Sequence, residues 1–500
     1  MPVHPFIHPR LKPCLPLLAG LLLLAPVFFL HAFRHSFPLG YAGMFTQMAA
    51  QIAEANFALP LEIPRYGPGG IPFVYPPLGH YLFAAALKLG FSPWAYLRLV
   101  PPVFALTALV PFYFLARQLT GIGWGGLAAL LLAFTAPSVF SIHVWSAGVA
   151  RGLALVFCLA GLLLYLLALR QSSWRVIVGA AISLGLLLTT HLLYTLFAAL
   201  VGVAFLLAER KPRRALTALA ILGLALLVAS PWLGTVIVRH GFESLWVAAS
   251  SHRNADFLSL LFQDFGEAMT YLWENLSYVT RNGFLAALSL PGFLLLLFRR
   301  QFHLPMAFLF SLTMGEASFF PVLLAAMMAG AFAEWLLERF SGQVALRWSL
   351  TTLTVALVLF GVGKNLSEII RYEPEIDVYS LQMSKFVRQE TNPEQTYLYI
   401  GKINEAEWFP YLLERTPVFA LWGSEWKGDY AEQLQTLIDL RACQNEKDWP
   451  CIEALLTAKN AHPDLLIAPN QRWLFQQIRE TRAWEVIYEN ERYQVWERRP

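Results

Sequence analysis

Residues 192–230 read LLYTLFAALVGVAFLLAERKPRRALTALAILGLALLVAS, two apolar blocks parted by the basic turn ERKPRR. A bilayer core is crossed by a helix of about 20 apolar residues, so each block is long enough to span and the turn between them must lie in water. Four cations in that turn, Arg210, Lys211, Arg213 and Arg214, mark it as cytoplasmic, because short loops rich in Lys and Arg stay on that side. The same texture repeats in both directions from Cys14 to about Lys364. Over the chain 57% of residues are hydrophobic, 14% are charged and the mean hydropathy is +0.51, values that exclude an ordinary soluble domain of 500 residues.

Spans are predicted near 14–33, 97–116, 122–140, 150–169, 174–190, 192–208, 214–230, 283–298, 304–315, 318–337 and 347–363, about eleven transmembrane helices in all. The ninth is short. With this threading Arg10 and Lys12 share one side with Arg117, Arg170, Arg175, the Arg210–Arg214 turn, Arg299, Arg300, Arg339 and Arg347. The pattern requires that YPPLGHYLFAAALKLG, around Pro76 to Leu89, does not cross and lies instead as an interfacial or re-entrant helix opened by Pro76-Pro77. The apolar run after Lys12 lacks a small-residue cleavage site, and we read it as a retained first helix. The expected protein is thus a multi-pass plasma (inner) membrane protein with a cytoplasmic N-terminus.

Its outer face carries a long first loop, 34–96, and a third loop, 230–282. Within the latter, NADFLSLLFQDFGEAMTYLWENL has apolar residues at helical spacing with acids between, as an amphipathic interfacial helix would. A net charge of +4, dispersed through short loops, gives no nucleic-acid footprint.

From Asn365 the composition turns to that of a soluble protein, which sets the expected division into a membrane domain, 1–364, and an extracytoplasmic α/β domain, 365–500. Strand-like YLYIG (397–401), VFALWG (418–423) and DLLIAP (464–469) alternate with helical SLQMSKFVRQET and DYAEQLQTLIDLRAC. VIYENERYQVWERR closes the domain as a hairpin turning at Glu489-Asn490-Glu491. Cys443 and Cys451 bracket a short polar loop and suit a local disulfide in an oxidising compartment, two free thiols being the alternative. No Gly-rich phosphate loop and no Cys/His/Asp cluster at metal spacing occurs, so neither an organic cofactor nor a divalent metal is supported. Glu407, Trp408, Glu425 and Trp426 fit two readings, an acceptor-sugar site or a tryptophan-rich core.

The layout resembles the C-type (GT-C) membrane glycosyltransferases, the superfamily of protein O-mannosyltransferases, the aminoarabinose transferase of lipid A and oligosaccharyltransferase catalytic subunits. The resemblance rests on a long first loop with an amphipathic helix (Gly40 to Glu54), YPPLGHYL (Tyr75–Leu82) leading through Arg98 into the second span, ARQLTG (Ala116–Gly121), the turn Thr189-Thr190-His191 and the trailing soluble domain. It implies transfer of a sugar from a polyprenyl-phosphate donor to a glycan, lipid or protein acceptor on the outer face.

Such chemistry needs a carboxylate for the acceptor and cationic or hydrogen-bonding groups for the departing phosphate. His191 and Arg151 stand where relatives carry a basic residue toward the lipid phosphate, each with an interfacial anchor as the alternative. Tyr75 and His80 of YPPLGHYL are further candidate substrate contacts, and His143 reads as an external interfacial side chain. Many relatives place an acid near the end of the first span or beside the basic residue opening the fourth. Here PLGYAGMF and GVARGLAL put Ala42 and Leu153 in those places. The remaining acidic candidates are Glu316, in TMGEASFFP between two apolar spans, and Glu54. Two other classes stay open: an inactive relative that binds or presents a lipid-linked glycan, and a lipid or sugar transporter, which internal repeats and charges midway along spans would mark.

Overall fold

The computed structural model describes residues 14–209, 212–251, 263–314, 317, 319–339 and 344–499. The chain forms two compact units. One comprises Met1–Arg34, Arg98–Trp232 and Asn254–Tyr372; the other comprises His35–Leu97, Leu233–Arg253 and Glu373–Pro500. The sequence division at 364/365 falls inside the helix Val344–Ile369, and the second unit takes in the first long loop, His35–Leu97, as well as the C-terminal region. That loop is held by long-range contacts that no change of composition announces.

The helical unit contains α1 (Leu15–Arg34), most of α4 (Pro93–Thr120), α5 (Gly125–Thr135), α6 (Pro137–Val144), α7 (Gly148–Gln171), α8 (Trp174–Leu188), α9 (Leu192–Glu209) and the first part of α10 (Pro212–Ser251). The helices Phe265–Thr280, Gly283–Phe298, His303–Ser311, Phe319–Arg339 and Val344–Ile369 complete it. Among the described residues 7 helices are long and apolar enough to cross a membrane, or up to 9 if two bent pairs each count as one span. The expected eleven is therefore not reached on length: Trp174–Leu188 has 15 residues and His303–Ser311 only 9. One bent pair is α5 and α6, at 71°. Its cause is local: Ala136 precedes Pro137, whose ring drives the preceding residue out of helical geometry to φ −59, ψ 126, while Pro137 itself opens the next helix.

Ion pairs sort the ends of this unit. Arg170, at the end of α7, reaches the Gln118 carbonyl at 3.1 Å and the Glu209 carboxylate at 3.0 Å. His303 meets the same carboxylate at 2.9 Å, and Arg214 binds it too. The turns after α4, α7 and α9 thus share one end, as the cation pattern demanded. At the other, the Arg34 guanidinium donates to the Ile370 carbonyl and Trp145 packs on Tyr372 at 4.7 Å.

Helices approach closely where glycine permits. A Cβ on Gly292 would lie 2.0 Å from the Met328 carbonyl oxygen, and one on Gly125 would lie 2.1 Å from that of Gly330. Since backbone cannot yield as a side-chain tip can, Gly292→Val is expected to destabilise the helical unit by roughly 1–3 kcal/mol or more, seen as a lower melting temperature of the detergent-solubilised protein.

In the second unit α2 (Gly43–Glu54) and α3 (Leu78–Lys88) flank a short hairpin of β1 (Glu62–Ile63) and β2 (Ile71–Pro72). At 11 residues α3 rises about 16 Å, too little to cross. The C-terminal region carries a 5-stranded sheet in the order β4-β3-β5-β7-β6, with β3 (Thr396–Tyr399), β4 (Thr416–Pro417), β5 (Leu465–Pro469), β6 (Trp484–Glu489) and β7 (Tyr493–Arg498). β4, β3 and β5 run parallel, while β7 returns antiparallel and pairs with β6. Asn490 turns the final hairpin by accepting from the amides of Arg492 and Tyr493 at 2.9 and 2.8 Å. VFALWG is not a strand. β4 ends at Pro417, Val418 makes one bond to Tyr397, and Ala420 is tied instead to the Gln433 side chain at 3.2 Å.

Cys443 and Cys451 are disulfide-bonded, with Cα atoms 5.6 Å apart, linking the helices Tyr430–Glu446 and Trp449–Ala458. In the loop 230–282, expected on the outer face, Asn254 to Phe262 of the expected amphipathic helix lie outside the described residues; Phe265–Thr280 is helical, and Asp264 caps it by accepting from Gly266 and Glu267 at 2.8 and 3.0 Å. Phe265 and Trp273 stand exposed on it.

Candidate active site

At the Trp145 end of the helical unit, three segments bring polar side chains together inside an apolar setting. His143 closes α6, Arg151 sits in the first turn of α7, and His191 and Tyr194 open α9. The His143 Nδ1 lies 2.6 Å from the Val139 carbonyl one turn back, so that nitrogen carries the proton and donates. Its Nε2 is then an acceptor, and the Tyr194 hydroxyl donates to it at 2.5 Å. Tyr194 faces His191 with ring centroids 5.0 Å apart, stacks on Phe319 and meets Phe320 edge-on. Both His143 and Tyr194 are fully buried, which holds the pair in one geometry.

Arg151 is half-buried and lies within electrostatic range of His143. The junction that puts it there is tight: a Cβ on Gly148 would come 2.2 Å from the His143 carbonyl oxygen, so only glycine lets α7 begin against α6. The positive end of the 24-residue α7 adds to the guanidinium charge. The arrangement offers a cation, a second imidazole and a buried tyrosine–histidine pair, the kind of set that takes up charge on an anionic leaving group.

His191 and Arg151 thus fall in one cluster. Sequence reasoning gives His143 no chemical role and does not single out Tyr194. The only signal for Tyr194 is its place three residues after His191, on the same helical face. Glu316 lies outside the described residues. Glu54 is exposed at the last position of α2.

The other candidates belong to the second unit. Glu407 and Trp408 are buried and engaged with backbone, so they stand as a clasp. The Glu407 carboxylate accepts from the amides of Gly43 and Met44 at 2.7 Å each, capping α2, whose own preceding residue Ala42 has no side chain to do so. Trp408 Nε1 donates to the Gly40 carbonyl at 2.9 Å, and the Tyr66 hydroxyl donates to the Glu407 carbonyl at 3.1 Å. Burial pushes the Glu407 carboxyl up to about 7, against the pull of the amides of Met44, Gly43 and Ala42. Tyr75 and His80 form an aromatic cluster with Phe45, at 5.3 Å from each other and 5.7 and 5.3 Å from Phe45, and Tyr75 also meets Trp426 at 6.1 Å. His80 is fully buried, neither ring nitrogen has a hydrogen-bond partner among the described residues, and burial lowers its pKa to about 3.

Residues 74–234 match the family described as dolichyl-phosphate-mannose-protein mannosyltransferase. Among solved structures, the Archaeoglobus fulgidus oligosaccharyltransferase superposes with a TM-score of 0.63 at 14% identity, covering 91% of this chain and 68% of that one. The fold is that of the C-type membrane glycosyltransferases. ArnT from Cupriavidus metallidurans, bound to undecaprenyl phosphate, shares this C-type fold at a TM-score of 0.53 and 14% identity, over 96% of this chain and 97% of its own. The mycobacterial arabinofuranosyltransferase AftD matches at 0.51 and 13%, over 96% of this chain and 40% of its own. No curated protein matches by sequence. The segment that matches the mannosyltransferase family contains His143, Arg151, His191 and Tyr194, as well as Tyr75 and His80.

Proposed function

We propose that this multi-pass membrane protein is a glycosyltransferase that takes a sugar from a polyprenyl-phosphate donor and transfers it to an acceptor on the outer face of the membrane. The observation that carries the reading is the cluster of Arg151, His191 and the His143–Tyr194 pair. An acceptor oxygen forms the new bond to the sugar's anomeric carbon as the bond from that carbon to the phosphate oxygen breaks. The lipid phosphate departs with the bonding electrons, and Arg151 and His191 take up its charge. Supporting this are the C-type fold, the family match over 74–234 and the structural neighbour ArnT, which holds undecaprenyl phosphate. On this reading the N-terminus is cytoplasmic, and Glu316 is the first candidate for the group that deprotonates the acceptor, with Glu54 second.

The test is to give the purified protein, in lipid nanodiscs, undecaprenyl-phosphate sugars and envelope extract, and to follow release of undecaprenyl phosphate. Turnover that falls in Glu316→Gln is the expected result. Binding of the donor without turnover in any extract would leave the second reading, a relative that binds or presents a lipid-linked glycan. One observation favours that alternative: Ala42 brings no acid to the start of α2, and the neighbouring amides are already taken by Glu407.

A further inference from the structure

The second unit holds a cavity of about 1010 Å³ that none of the chemistry above uses. It lies at the carboxyl ends of the parallel strands. β3 is central, β4 pairs on one side of it and β5 on the other, so the chain leaving β3 and the chain leaving β5 turn apart there. Crevices at such a switch point in a sheet are where ligands settle, because the loops diverge and leave a gap that no side chain of the sheet fills. Its walls are those loops: Gly401–Glu407 after β3, Phe419–Trp422 after β4 and Gln471 after β5, with Arg441, Gln444 and Asn445 from the helix Tyr430–Glu446.

The lining chemistry narrows the ligand. Arg492 is committed to Asp377 at 2.7 Å and to Glu405, and Glu407 to the amides of α2. Of the other charged lining residues, Lys402 and Arg441 are matched in number by Glu373 and Glu375. A phosphorylated ligand would find no excess of cations, and the helix after Gly401 is only 4 residues long, so no phosphate cradle follows the strand. What the walls do offer is the amides of Asn404, Gln444, Asn445 and Gln471 together with the aromatic residues Phe419 and Trp422, the latter packed against Tyr41 with ring centroids 4.4 Å apart. Two lining groups are orphans: the hydroxyl of Tyr397, a fully buried residue, and the indole Nε1 of Trp422 have no hydrogen-bond partner among the described residues. Buried polar groups left so are costly unless a ligand satisfies them.

We propose that this crevice binds a neutral oligosaccharide, whose hydroxyls both donate and accept and whose C–H faces lie on aromatic rings. The volume stands at the top of the range of about 300–1,000 Å³ for small-molecule sites, which suits several sugar units better than one. That this glycan is the acceptor rests on the transferase reading; the binding itself does not.

The experiment puts the full chain, in nanodiscs, on an array of neutral and acidic di- to hexasaccharides and titrates the hits by calorimetry. Neutral oligosaccharides are expected to bind. Trp422→Ala and Tyr397→Phe are each expected to weaken binding by about tenfold or more, while Lys385→Ala, outside the crevice, binds as the unaltered protein does. Tyr397→Phe separates the site from a merely structural tyrosine, because removing an unpaired buried hydroxyl leaves the melting temperature unchanged or raised while affinity drops. Binding of acidic glycans only, no binding at all, or unchanged affinity in both crevice variants would overturn the proposal. Donor turnover without any oligosaccharide binding removes the crevice and keeps the transferase; oligosaccharide binding without turnover does the reverse.

Discussion

Replacing Arg151 by alanine is expected to slow release of undecaprenyl phosphate from its sugar-linked form by about 10²–10³-fold, the loss that follows when one preorganised donor to a developing anion is removed. The guanidinium sits in the first turn of α7, within electrostatic range of His143 and next to the tight Gly148 junction, so a water molecule cannot take its place with the same orientation. Arg151→Lys, which keeps the charge and loses the planar fork, is expected to recover part of the rate. His191→Ala lowers the same rate by a smaller factor, since the imidazole is half-buried and its ring stays beside Tyr194. Measured as kcat at saturating donor, equal rates for Arg151→Ala and the unaltered protein would remove Arg151 from the mechanism.

The second large effect is on stability and its pH dependence, and it belongs to Glu407 and His80. Burial raises the Glu407 carboxyl from 4.5 to about 7, so its contribution is full below the ordinary carboxyl range and is lost as pH rises through about 7. His80 runs the other way: burial lowers it from 6.5 to about 3, so its contribution is full above 6.5 and is lost as pH falls toward 3. Each shift corresponds to roughly 3–5 kcal/mol over its full window. Between pH 4.5 and 6.5 the two slopes oppose. His80→Phe keeps the ring packing against Phe45 and Tyr75 and removes the His80 slope, so its melting temperature should fall relative to that of the unaltered protein as pH rises from 5 to 6.5. Glu407→Gln removes the Glu407 slope and should melt progressively higher relative to the unaltered protein as pH rises from 5 to 7. It also loses about 1–3 kcal/mol at pH 5, because one of the Gly43 and Met44 amides then faces an NH₂ group. Parallel pH profiles for the three proteins would refute this account of the two groups.

Much of the architecture was legible because its physics is local. A run such as LLYTLFAALVGVAFLLAE states by composition that it lies in lipid, and ERKPRR states that it does not. Arg170, Glu209, Arg214 and His303 meet at one end of the helical unit because the turns that hold them were already sorted by charge. YLYIG, DLLIAP and the terminal hairpin were readable for the same reason, as alternation and turn residues act within a few positions. VFALWG misled because a β-like composition does not form a strand where its backbone bonds go to a side chain.

The candidate site was legible only in part. His191 and Arg151 could be picked out as ionisable residues at helix ends. The His143–Tyr194 bond, with 51 positions between its partners, could not, because it exists only once α6 and α9 are packed side by side. Glu407 and Trp408 look like sugar contacts by residue type, and what makes them a clasp is α2, more than 360 positions earlier, whose amides and Gly40 carbonyl they satisfy. The sequence by itself therefore determined the solvent of each segment, the ends to which the cations go and most of the helices and strands, all consequences of hydropathy and short-range backbone preference. Only the tertiary structure decided which polar groups are paired, which buried ones are left waiting and where a cavity opens, since those depend on contacts between segments whose separation along the chain carries no signal.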